Sequence, residues 1–242
     1  MRALLELEDV SRHFGSLRAV HSVSFSVAEG TIVGLIGPNG AGKSTLYNVI
    51  AGVLPPTRGS IWFEGKDVAG LRSHNVARRG IARTFQIPKP FKQLTVAENA
   101  LVYALPHHGS LAQAREHAEH VVREVGLGDY AEAPARVLTV GLLKRLEFAR
   151  ALAGGPRLVL FDEIMAGLTP TEVREMTALV GTLPARGVTV IWVEHVLHAI
   201  MSVAQRILVL NRGELIADGP PAEITRDPEV VKAYLGEELA LA

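Results

Sequence analysis

The segment that most constrains the fold is residues 31–51, TIVGLIGPNGAGKSTLYNVIA. It begins with an apolar, β-branched run at 32–36, which predicts a buried strand. The pattern G-x-x-x-x-G-K-S follows at 37–44, and apolar residues then recur at helical spacing between 46 and 50. A buried strand that enters a glycine-rich turn and continues into a helix is the context that a phosphate-binding loop requires. The sequence therefore predicts an α/β fold organised around this loop.

The residue types of the loop each have a chemical reason. Glycines can adopt backbone angles that side chains disfavour, so successive N–H groups turn toward one anion, and the helix start adds the positive end of its dipole. Lys43 supplies a point charge for the β- and γ-phosphates, and the Ser44 hydroxyl is suited to ligate Mg²⁺. A turn that binds nothing is the alternative, but the ordered strand, lysine, hydroxyl and helix favour a nucleotide site. The expected nucleotide-binding residues here are Gly37, Pro38, Asn39, Gly40, Ala41, Gly42, Lys43, Ser44 and Thr45.

Length and composition bound the class of protein. A chain of 242 residues suits one α/β domain with a smaller subdomain. Its 25 basic residues balance 25 acidic ones, so no overall field favours nucleic acid or an anionic membrane. The absence of cysteine excludes disulfides, thiolate metal sites and cysteine nucleophiles. Because no apolar run approaches the ~18 residues of a spanning helix and the first residues lack a signal-peptide pattern, we expect a soluble, cytoplasmic protein.

Two stretches of mixed strands and helices lie on either side of a mainly helical segment. Strand patterns at 3–10 and 19–27 precede the loop, and the composition changes near residue 88. The clearest helix is predicted at 110–126, with an apolar stripe from Leu111 to Val125. We expect one domain, 1–242, with a P-loop core (1–87 and 154–242) of mixed sheet and flanking helices, an N-terminal antiparallel β-subdomain and an inserted α-helical subdomain at 88–153.

Polar side chains follow two further predicted strands. Asp162 and Glu163 come directly after an apolar strand at 158–161, and His195 closely follows a strand at 188–193. Ligands of open α/β sheets collect at the carboxyl ends of parallel strands. We expect Asp162 to hold Mg²⁺, directly or through water, and Glu163 to polarise the water that attacks the γ-phosphate. His195 can hydrogen-bond that phosphate. The alternatives are that the two acids merely end the strand and that the histidine is structural.

Two other features allow more than one interpretation. Phe14 lies in the bend before the loop and is either a core aromatic or an exposed ring that stacks on a nucleobase. His117 and His120 are three residues apart on the predicted helix. They are able to share a metal ion, but their charged neighbours favour a solvated helix face.

In order and spacing, these motifs resemble the ATP-binding cassette family along nearly the whole chain. The shared segments are the phosphate loop, Gln86, residues 138–151, LVLFDE at 158–163, AGLTP at 166–170 and EH at 194–195. The resemblance implies that Phe14 stacks on adenine. It also implies that Gln86 joins the core to the helical subdomain and senses both Mg²⁺ and the attacking water. Asp162, Glu163 and His195 keep the roles argued above.

Members of this family hydrolyse ATP as head-to-tail dimers, in which the signature segment of one domain completes the ATP site of the other. The usual signature is Leu-Ser-Gly-Gly-Gln, whereas this chain has LTVGL at 138–142. By resemblance, Thr139 offers its hydroxyl and Gly141 its backbone N–H to the γ-phosphate of the partner's ATP. Val140 and Leu142 depart from the pattern, and residues 167–169 are expected at the dimer contact.

A narrower resemblance is to the ATPases of branched-chain amino-acid importers. It rests on GIARTFQIP at 80–88, LTVAEN at 94–99, AGLTPTE at 166–172 and the ending DPEVVKAYLG. The resemblance implies two membrane permease subunits, a related ATPase subunit in a heterodimer or homodimer, and an extracytoplasmic solute-binding protein. It places the chain on the cytoplasmic face of the membrane. Lipopolysaccharide export and urea or amide import are alternative transport roles.

A soluble cassette ATPase acting on nucleic acid or ribosomes is the alternative of another class. Such proteins usually carry two cassettes or a long coiled-coil insertion, and a basic surface favours nucleic acid. This chain has one cassette, no long heptad insertion and a formal net charge of zero. We therefore expect no nucleic-acid partner.

Overall fold

Two β-sheets enclose the helix that follows the glycine-rich loop in the computed structural model, which describes residues 3–85 and 87–238. In chain order the strands are β1 (Ala3–Phe14), β2 (Leu17–Ala28), β3 (Ile32–Ile36), β4 (Arg58–Phe63), β5 (Lys66–Asp67), β6 (Ile81–Arg83), β7 (Leu158–Asp162), β8 (Thr189–Val193), β9 (Arg206–Asn211) and β10 (Glu214–Gly219). The antiparallel sheet has the order β2-β1-β4-β5, and the larger sheet has the order β10-β9-β3-β8-β7-β6.

The larger sheet is parallel except at one edge, where β10 pairs antiparallel with β9. Strands β3, β7 and β8 are buried along their whole length, as expected for continuous apolar runs in a parallel sheet. Because these strands point the same way, the glycine-rich loop and the polar residues after β7 and β8 meet at one edge. The mixed sheet and the separate antiparallel sheet confirm the predicted fold class.

The helices cover both faces of the larger sheet. They are α1 (Lys43–Ile50), α2 (Ser73–Arg78), α3 (Val96–Ala104), α4 (Leu111–Glu124), α5 (Val140–Ala153), α6 (Pro170–Thr182), α7 (Leu197–Val203), α8 (Pro221–Ile224) and α9 (Pro228–Glu238). Within the described residues, none of them is both long and apolar enough to cross a membrane.

Helix α1 is packed between the two sheets. Its Leu46 and Ile50 are 0% and 1% exposed and belong to one apolar cluster with side chains of both sheets, such as Phe63 and Leu160. Burying a side chain of this size contributes about 1.5–3 kcal/mol. The glycine-rich loop is therefore attached to a helix that has little freedom to move.

Helices α3, α4 and α5 pack on one another in the segment predicted to be helical. The apolar stripe of α4 is buried at Ala114, Ala118 and Val121, as its spacing predicts. Leu111 was predicted in the same stripe, but it is the first residue of the helix and is 57% exposed. Ser110 caps this helix by accepting a hydrogen bond from the Gln113 N–H.

Candidate active site

The glycine-rich loop turns sharply from β3 into α1, and two of its glycines have no room for a side chain. Gly37 has a φ of 151°, and a Cβ there would lie 2.0 Å from the carbonyl oxygen of Leu210. Gly42 has a φ of 102°, and a Cβ there would lie 2.3 Å from the carbonyl oxygen of Ala19. Both backbone angles and both close approaches require glycine. The pattern is therefore explained by the loop's own fold as well as by a ligand.

Lys43 is the first residue of α1 and lies across the loop. Its Nζ donates to the carbonyl oxygens of Gly37 at 2.6 Å and Pro38 at 2.8 Å, and the residue is 7% exposed. The first turn of α1 contains no acidic residue, so no side-chain charge there offsets the positive end of the helix dipole. The loop thus combines a buried ammonium group with a helix N-terminus, which is the electrostatics of an anion site.

A cleft of about 470 Å³ lies beside this loop. Phe14 lines it and is 43% exposed, which excludes the interpretation of this ring as a core aromatic. The Arg12 guanidinium lies 4.7 Å from the centre of the Phe14 ring. The cleft is lined by Phe14, Leu17, Arg18, Ala19, Asn39, Gly40, Ala41, Gly42, Lys43, Ser44, Thr45, Glu163 and Arg212. An exposed ring and a phosphate loop therefore share one cleft.

Asp162 ends β7 and is only 5% exposed. Its Oδ2 accepts a hydrogen bond from Nη2 of Arg83 at 2.8 Å, and its backbone N–H donates to Oγ1 of Thr84 at 3.1 Å. Arg83 also donates to Oδ1 of Asn48 on α1. The carboxylate expected to hold Mg²⁺ is thus fixed by residues at the end of the edge strand β6.

Glu163 and His195 face each other across the ends of β7 and β8. Oε1 of Glu163 lies 3.0 Å from Nε2 of His195, and their side chains are 15% and 54% exposed. Glu163 has a φ of 49°, and its N–H donates to the carbonyl oxygen of Val193 at 2.9 Å. Such a backbone conformation costs a non-glycine residue about 1–3 kcal/mol and is frequent at functional sites. The structure therefore brings together two of the predicted catalytic residues.

Glu194 and Lys144 were not predicted as site residues, yet both lie close to the ends of β7 and β8. Glu194 is 4% exposed and accepts a hydrogen bond from the Met165 N–H at 2.7 Å. Burial raises the pKa of the Glu194 carboxyl. Nζ of Lys144 donates to the carbonyl oxygen of Glu163 at 3.1 Å, and burial lowers the pKa of Lys144, although nearby carboxylates oppose the shift. Glu194 adjoins His195 in the sequence, but no spacing relates Lys144 to the strand ends.

Gln86, predicted as a catalytic and metal-sensing residue, lies outside the described residues. The backbone around it is held by two buried charged side chains of α5. Glu147 accepts a hydrogen bond from the Phe85 N–H, and Arg150 donates to the carbonyl oxygen of Lys89 at 3.0 Å. Nη1 of Arg150 also donates to Oε2 of Glu147 at 2.5 Å. Helix α5 therefore contacts the chain before and after residue 86.

The atypical signature segment forms the start of α5. Thr139 is the N-cap residue, and its Oγ1 accepts a hydrogen bond from the Leu142 N–H at 3.4 Å. Gly141 packs closely against Glu172, because a Cβ on Gly141 would lie 2.0 Å from Oε1 of that residue. Val140 is 59% exposed. Thr139 and Gly141 do not line the cleft beside the loop of their own chain.

The histidines of α4 do not form a metal centre. His120 lies 3.3 Å from Oε1 of Glu124 and is 60% exposed, as expected for a solvated face. The ring of His117 lies against that of His108, with centroids 4.7 Å apart and the ring planes tilted by 34°. No group of three or more histidine, aspartate or glutamate side chains is arranged to hold a metal ion among the residues that the structure describes.

Comparison with known proteins shows the family. The family described as "ABC transporter" matches residues 20–166, and the family described as "Branched-chain amino acid ATP-binding cassette transporter" matches residues 214–240. The chain is 39% identical to BraF of Pseudomonas aeruginosa, a high-affinity branched-chain amino acid transport ATP-binding protein, over 98% of this chain and 99% of BraF. It is 34% identical to LptB of Acidithiobacillus ferridurans, a lipopolysaccharide export system ATP-binding protein, over 100% of both chains.

Two solved structures of ATP-binding cassettes are similar to the whole fold. The ADP conformation of MJ1267, an ATP-binding cassette of an ABC transporter, has a TM-score of 0.89 at 32% identity over 98% of this chain and 100% of that one. A dimeric post-hydrolysis state of MJ0796, bound to ADP and phosphate, has a TM-score of 0.80 at 26% identity over 90% of this chain and 98% of that one. With the glycine-rich loop, the strand-end carboxylates and these similarities, the chain belongs to the ABC transporter family as an ATP-binding and ATP-hydrolysing subunit.

Proposed function

We propose that this chain drives the import of branched-chain or other hydrophobic amino acids through partner membrane subunits. The observation that carries the proposal is the match of residues 214–240 to the branched-chain amino acid cassette family, beside the 39% identity to BraF. The match at 214–240 is additional evidence, because these residues lie outside 20–166, the part that matches the general family.

The residues of the cleft support a division of labour in ATP hydrolysis. The loop N–H groups and Lys43 would bind the phosphates, and Phe14 would stack on the adenine. Glu163 would accept a proton from the attacking water, whose oxygen bonds to the γ-phosphorus as the bond to the bridging oxygen of ADP breaks. His195, 3.0 Å from Glu163, would orient that carboxylate and hydrogen-bond the γ-phosphate.

The donor set beside the loop fits Mg²⁺. Ser44 offers a hydroxyl and Asp162 a carboxylate, and Mg²⁺ is usually held by one or two protein oxygens together with substrate phosphates. Asp162 is buried and oriented by hydrogen bonds, as a group that supports a metal ion usually is. We assign Ser44, Asp162 and Gln86 to this ion, which would neutralise phosphate charge when bound.

The signature end of α5 would complete the ATP site of a second cassette. Thr139 and Gly141 lie outside their own cleft, and Val137 and Val140 expose apolar side chains beside them. Exposed apolar groups next to a helix N-terminus suit a surface that closes over a nucleotide. The second cassette would be a related ATPase subunit or another copy of this chain.

An apolar groove of about 170 Å³ is our proposed docking site for a permease helix. Val53, Phe85, Tyr103 and Ala151 are among its lining residues, so it lies between the core and the helical segment at 88–153. Ile87, two residues after Phe85 in the chain, is 73% exposed. A helix with an apolar face would bury these side chains, and the boundary near residues 87–88 would act as the hinge between core and subdomain.

The proposed setting is the cytoplasmic face of a membrane. Two permease subunits would hold the chain there, since the described residues include no helix able to span a bilayer. An extracytoplasmic solute-binding protein would complete the importer. The balanced charge of the chain, with 25 basic and 25 acidic residues, supports the absence of a nucleic-acid partner.

Lipopolysaccharide export is a second candidate function. The observation that favours it is the 34% identity to LptB over the whole length of both chains. Both candidates need the same ATPase chemistry, so the site does not distinguish them; the partner proteins do.

Purification of the whole complex in mild detergent tests the transport role. Two membrane subunits and a second, related ATPase support the importer. Export-type membrane subunits with this chain as the only ATPase favour the exporter. Recovery with ribosomes or nucleic acid and no membrane protein contradicts a transport role altogether.

A separate test addresses the general base. Glu163→Gln is expected to retain ATP binding and to abolish turnover, because the amide cannot accept the proton of the attacking water. Normal hydrolysis by this variant would show that the base is another residue. ATP affinity, measured by equilibrium dialysis, provides the control for folding.

A further inference from the structure

Arg83 contacts Asp162 and also lines the apolar groove, two places to which the proposed function gives separate roles. It ends the edge strand β6, and its guanidinium reaches Oδ2 of Asp162 at 2.8 Å. The two side chains are only 13% and 7% exposed, so the ion pair is largely shielded from solvent. Further contacts hold the guanidinium, from Asn48 and from the ring faces of Tyr47 and Phe85, each 5.9 Å away.

The same side chain lines the apolar groove. Arg83 is among the groove residues, together with Phe85, Tyr103 and His107. Its Nε is buried and has no hydrogen-bond partner in the described part of the chain. A buried donor without an acceptor is uncommon, and an acceptor carried by a groove occupant would satisfy it. One guanidinium therefore faces both the groove and the carboxylate expected to support Mg²⁺.

Arg83 affects the electrostatics of Asp162. A guanidinium 2.8 Å from a buried carboxylate neutralises most of its field, so a divalent cation approaching Asp162 meets less attraction. If the guanidinium moved toward an occupant of the groove, the full carboxylate charge would be restored. This effect has a definite sign, because loss of the arginine charge strengthens the attraction for the cation.

We propose that Arg83 is a positioning residue that restrains Asp162, weakening its support for a divalent cation until a partner helix occupies the groove. The occupant packs on Phe85 and draws the guanidinium away from Asp162. The part that concerns the groove rests on the proposed function, whereas the link between Arg83 and Asp162 rests only on the described contacts.

The first experiment uses the full chain alone, with Glu163→Gln so that ATP is not consumed. Binding of a fluorescent ATP analogue is measured with Mg²⁺ and with EDTA. The dissociation constant in EDTA divided by the dissociation constant in Mg²⁺ reports how strongly the protein supports the metal ion. We expect Arg83→Gln to increase this ratio at least threefold and Arg83→Lys to leave it near that of the parent. The same neutral substitution at the exposed Arg78, Arg78→Gln, is the matched control and should have no effect.

Several outcomes would show that Arg83 does not restrain Asp162. A merely structural role for Arg83 predicts an unchanged or smaller ratio in Arg83→Gln, because disorder at Asp162 weakens metal support. If Arg83→Gln folds poorly, Arg83→Met offers a second neutral side chain with the same expected direction. In an Asp162→Asn background the effect of Arg83→Gln should vanish; an equal increase there would show that the cation is not affected through Asp162.

The second experiment repeats the measurement on the intact complex. The parent complex should show a larger ratio than the chain alone, and Arg83→Gln should remove that difference. Equal ratios for the parent chain and the parent complex would overturn the coupling to the groove. If no permease copurifies, the proposed function fails, while the result on the chain alone still decides the link between Arg83 and Asp162.

Discussion

Nζ of Lys144 donates a hydrogen bond to the carbonyl oxygen of Glu163 over 3.1 Å. Lys144 lies five residues after Thr139, the N-cap of α5, and so belongs to the helix that begins with the signature segment. Glu163 is the residue we assign as general base, and it has a strained φ of 49°. The helix that would contact the ATP of a second cassette is thus bonded directly to the proposed base of its own cassette.

Lys144→Met is expected to lower kcat by about tenfold to a hundredfold, because a small displacement of a catalytic group has an effect of this size. ATP affinity should change little, since Lys144 does not line the nucleotide cleft. Lys144→Arg keeps a donor and a charge and should recover part of the rate. Steady-state kinetics with an ATP-binding control measure this, and equal rates for Lys144→Met and the parent would contradict the role.

The strand ends could be predicted from the sequence because the physical rule is simple. Continuous apolar runs predict buried parallel strands, and parallel strands deliver their last residues to one edge of a sheet. The loop at 37–44, Asp162, Glu163 and His195 follow from that rule, and the structure places them together. Phe14 was left between two interpretations, because exposure depends on the packing of the whole antiparallel sheet.

The supporting contacts could not be predicted in the same way. Arg83 is 79 residues away from Asp162 in the chain, and Lys144 lies on α5, the helix that precedes β7. The spacing of these residues does not show that either side chain reaches a strand end. Their residue type indicates an exposed position, since charged side chains are rarely buried unless they are paired. The backbone path that brings their partners close had to be known first.

Gly141→Ala is expected to cost about 1 kcal/mol through one contact, which cancels most of the roughly 1 kcal/mol that alanine gains over glycine within a helix. The new methyl would overlap Oε1 of Glu172, only 2.0 Å away, and Glu172 would leave the capping box in which it accepts from the Thr169 N–H at 2.8 Å. Loss of one such hydrogen bond typically costs about this much, while the Thr169 hydroxyl still accepts from the Glu172 N–H. Unfolding in urea measures the effect.

The matched control for this effect is a double-mutant cycle. Glu172→Ala removes both the overlap and the carboxylate that bonds to Thr169, so the contact cost of Gly141→Ala should disappear in that background. Full additivity of the two substitutions would show that the alanine acts through some other contact. The Thr-Pro-Thr-Glu pattern at 169–172 is typical of a capping box, and the structure has one there.

Stability should depend on pH through Glu194. Burial raises the pKa of this carboxyl in the folded protein, so between the ordinary glutamate pKa of about 4.3 and the raised value the folded state binds more protons than the unfolded state. The free energy of unfolding of the parent should therefore fall, relative to that of Glu194→Gln, as the pH rises through this window. Urea unfolding from pH 4 upward tests the sign, with exposed Glu116→Gln as the control; parallel curves for parent and Glu194→Gln would refute it.

Glu147 and Arg150 form the most deeply buried ion pair of the described salt bridges, with side chains 5% and 4% exposed. Arg150 also donates to the Tyr103 hydroxyl and to the Lys89 carbonyl, so its removal leaves several groups without their partner. Arg150→Met should lower the free energy of unfolding by about 3–5 kcal/mol, because the Glu147 carboxylate remains buried and uncompensated.

Addition of Glu147→Gln to Arg150→Met should recover part of the lost stability, because the neutral amide is less costly to bury than an unpaired carboxylate. The exposed pair Arg58–Asp9, with side chains 57% exposed on both partners, is the matched control. Arg58→Met should cost no more than about 1 kcal/mol, since solvent screens that pair. Denaturant unfolding of the parent and these three variants measures the difference. Arg150→Met and Arg58→Met could instead lose the same small amount of stability. That result would show that burial does not govern the strength of the Glu147–Arg150 pair, which holds the chain on either side of residue 86.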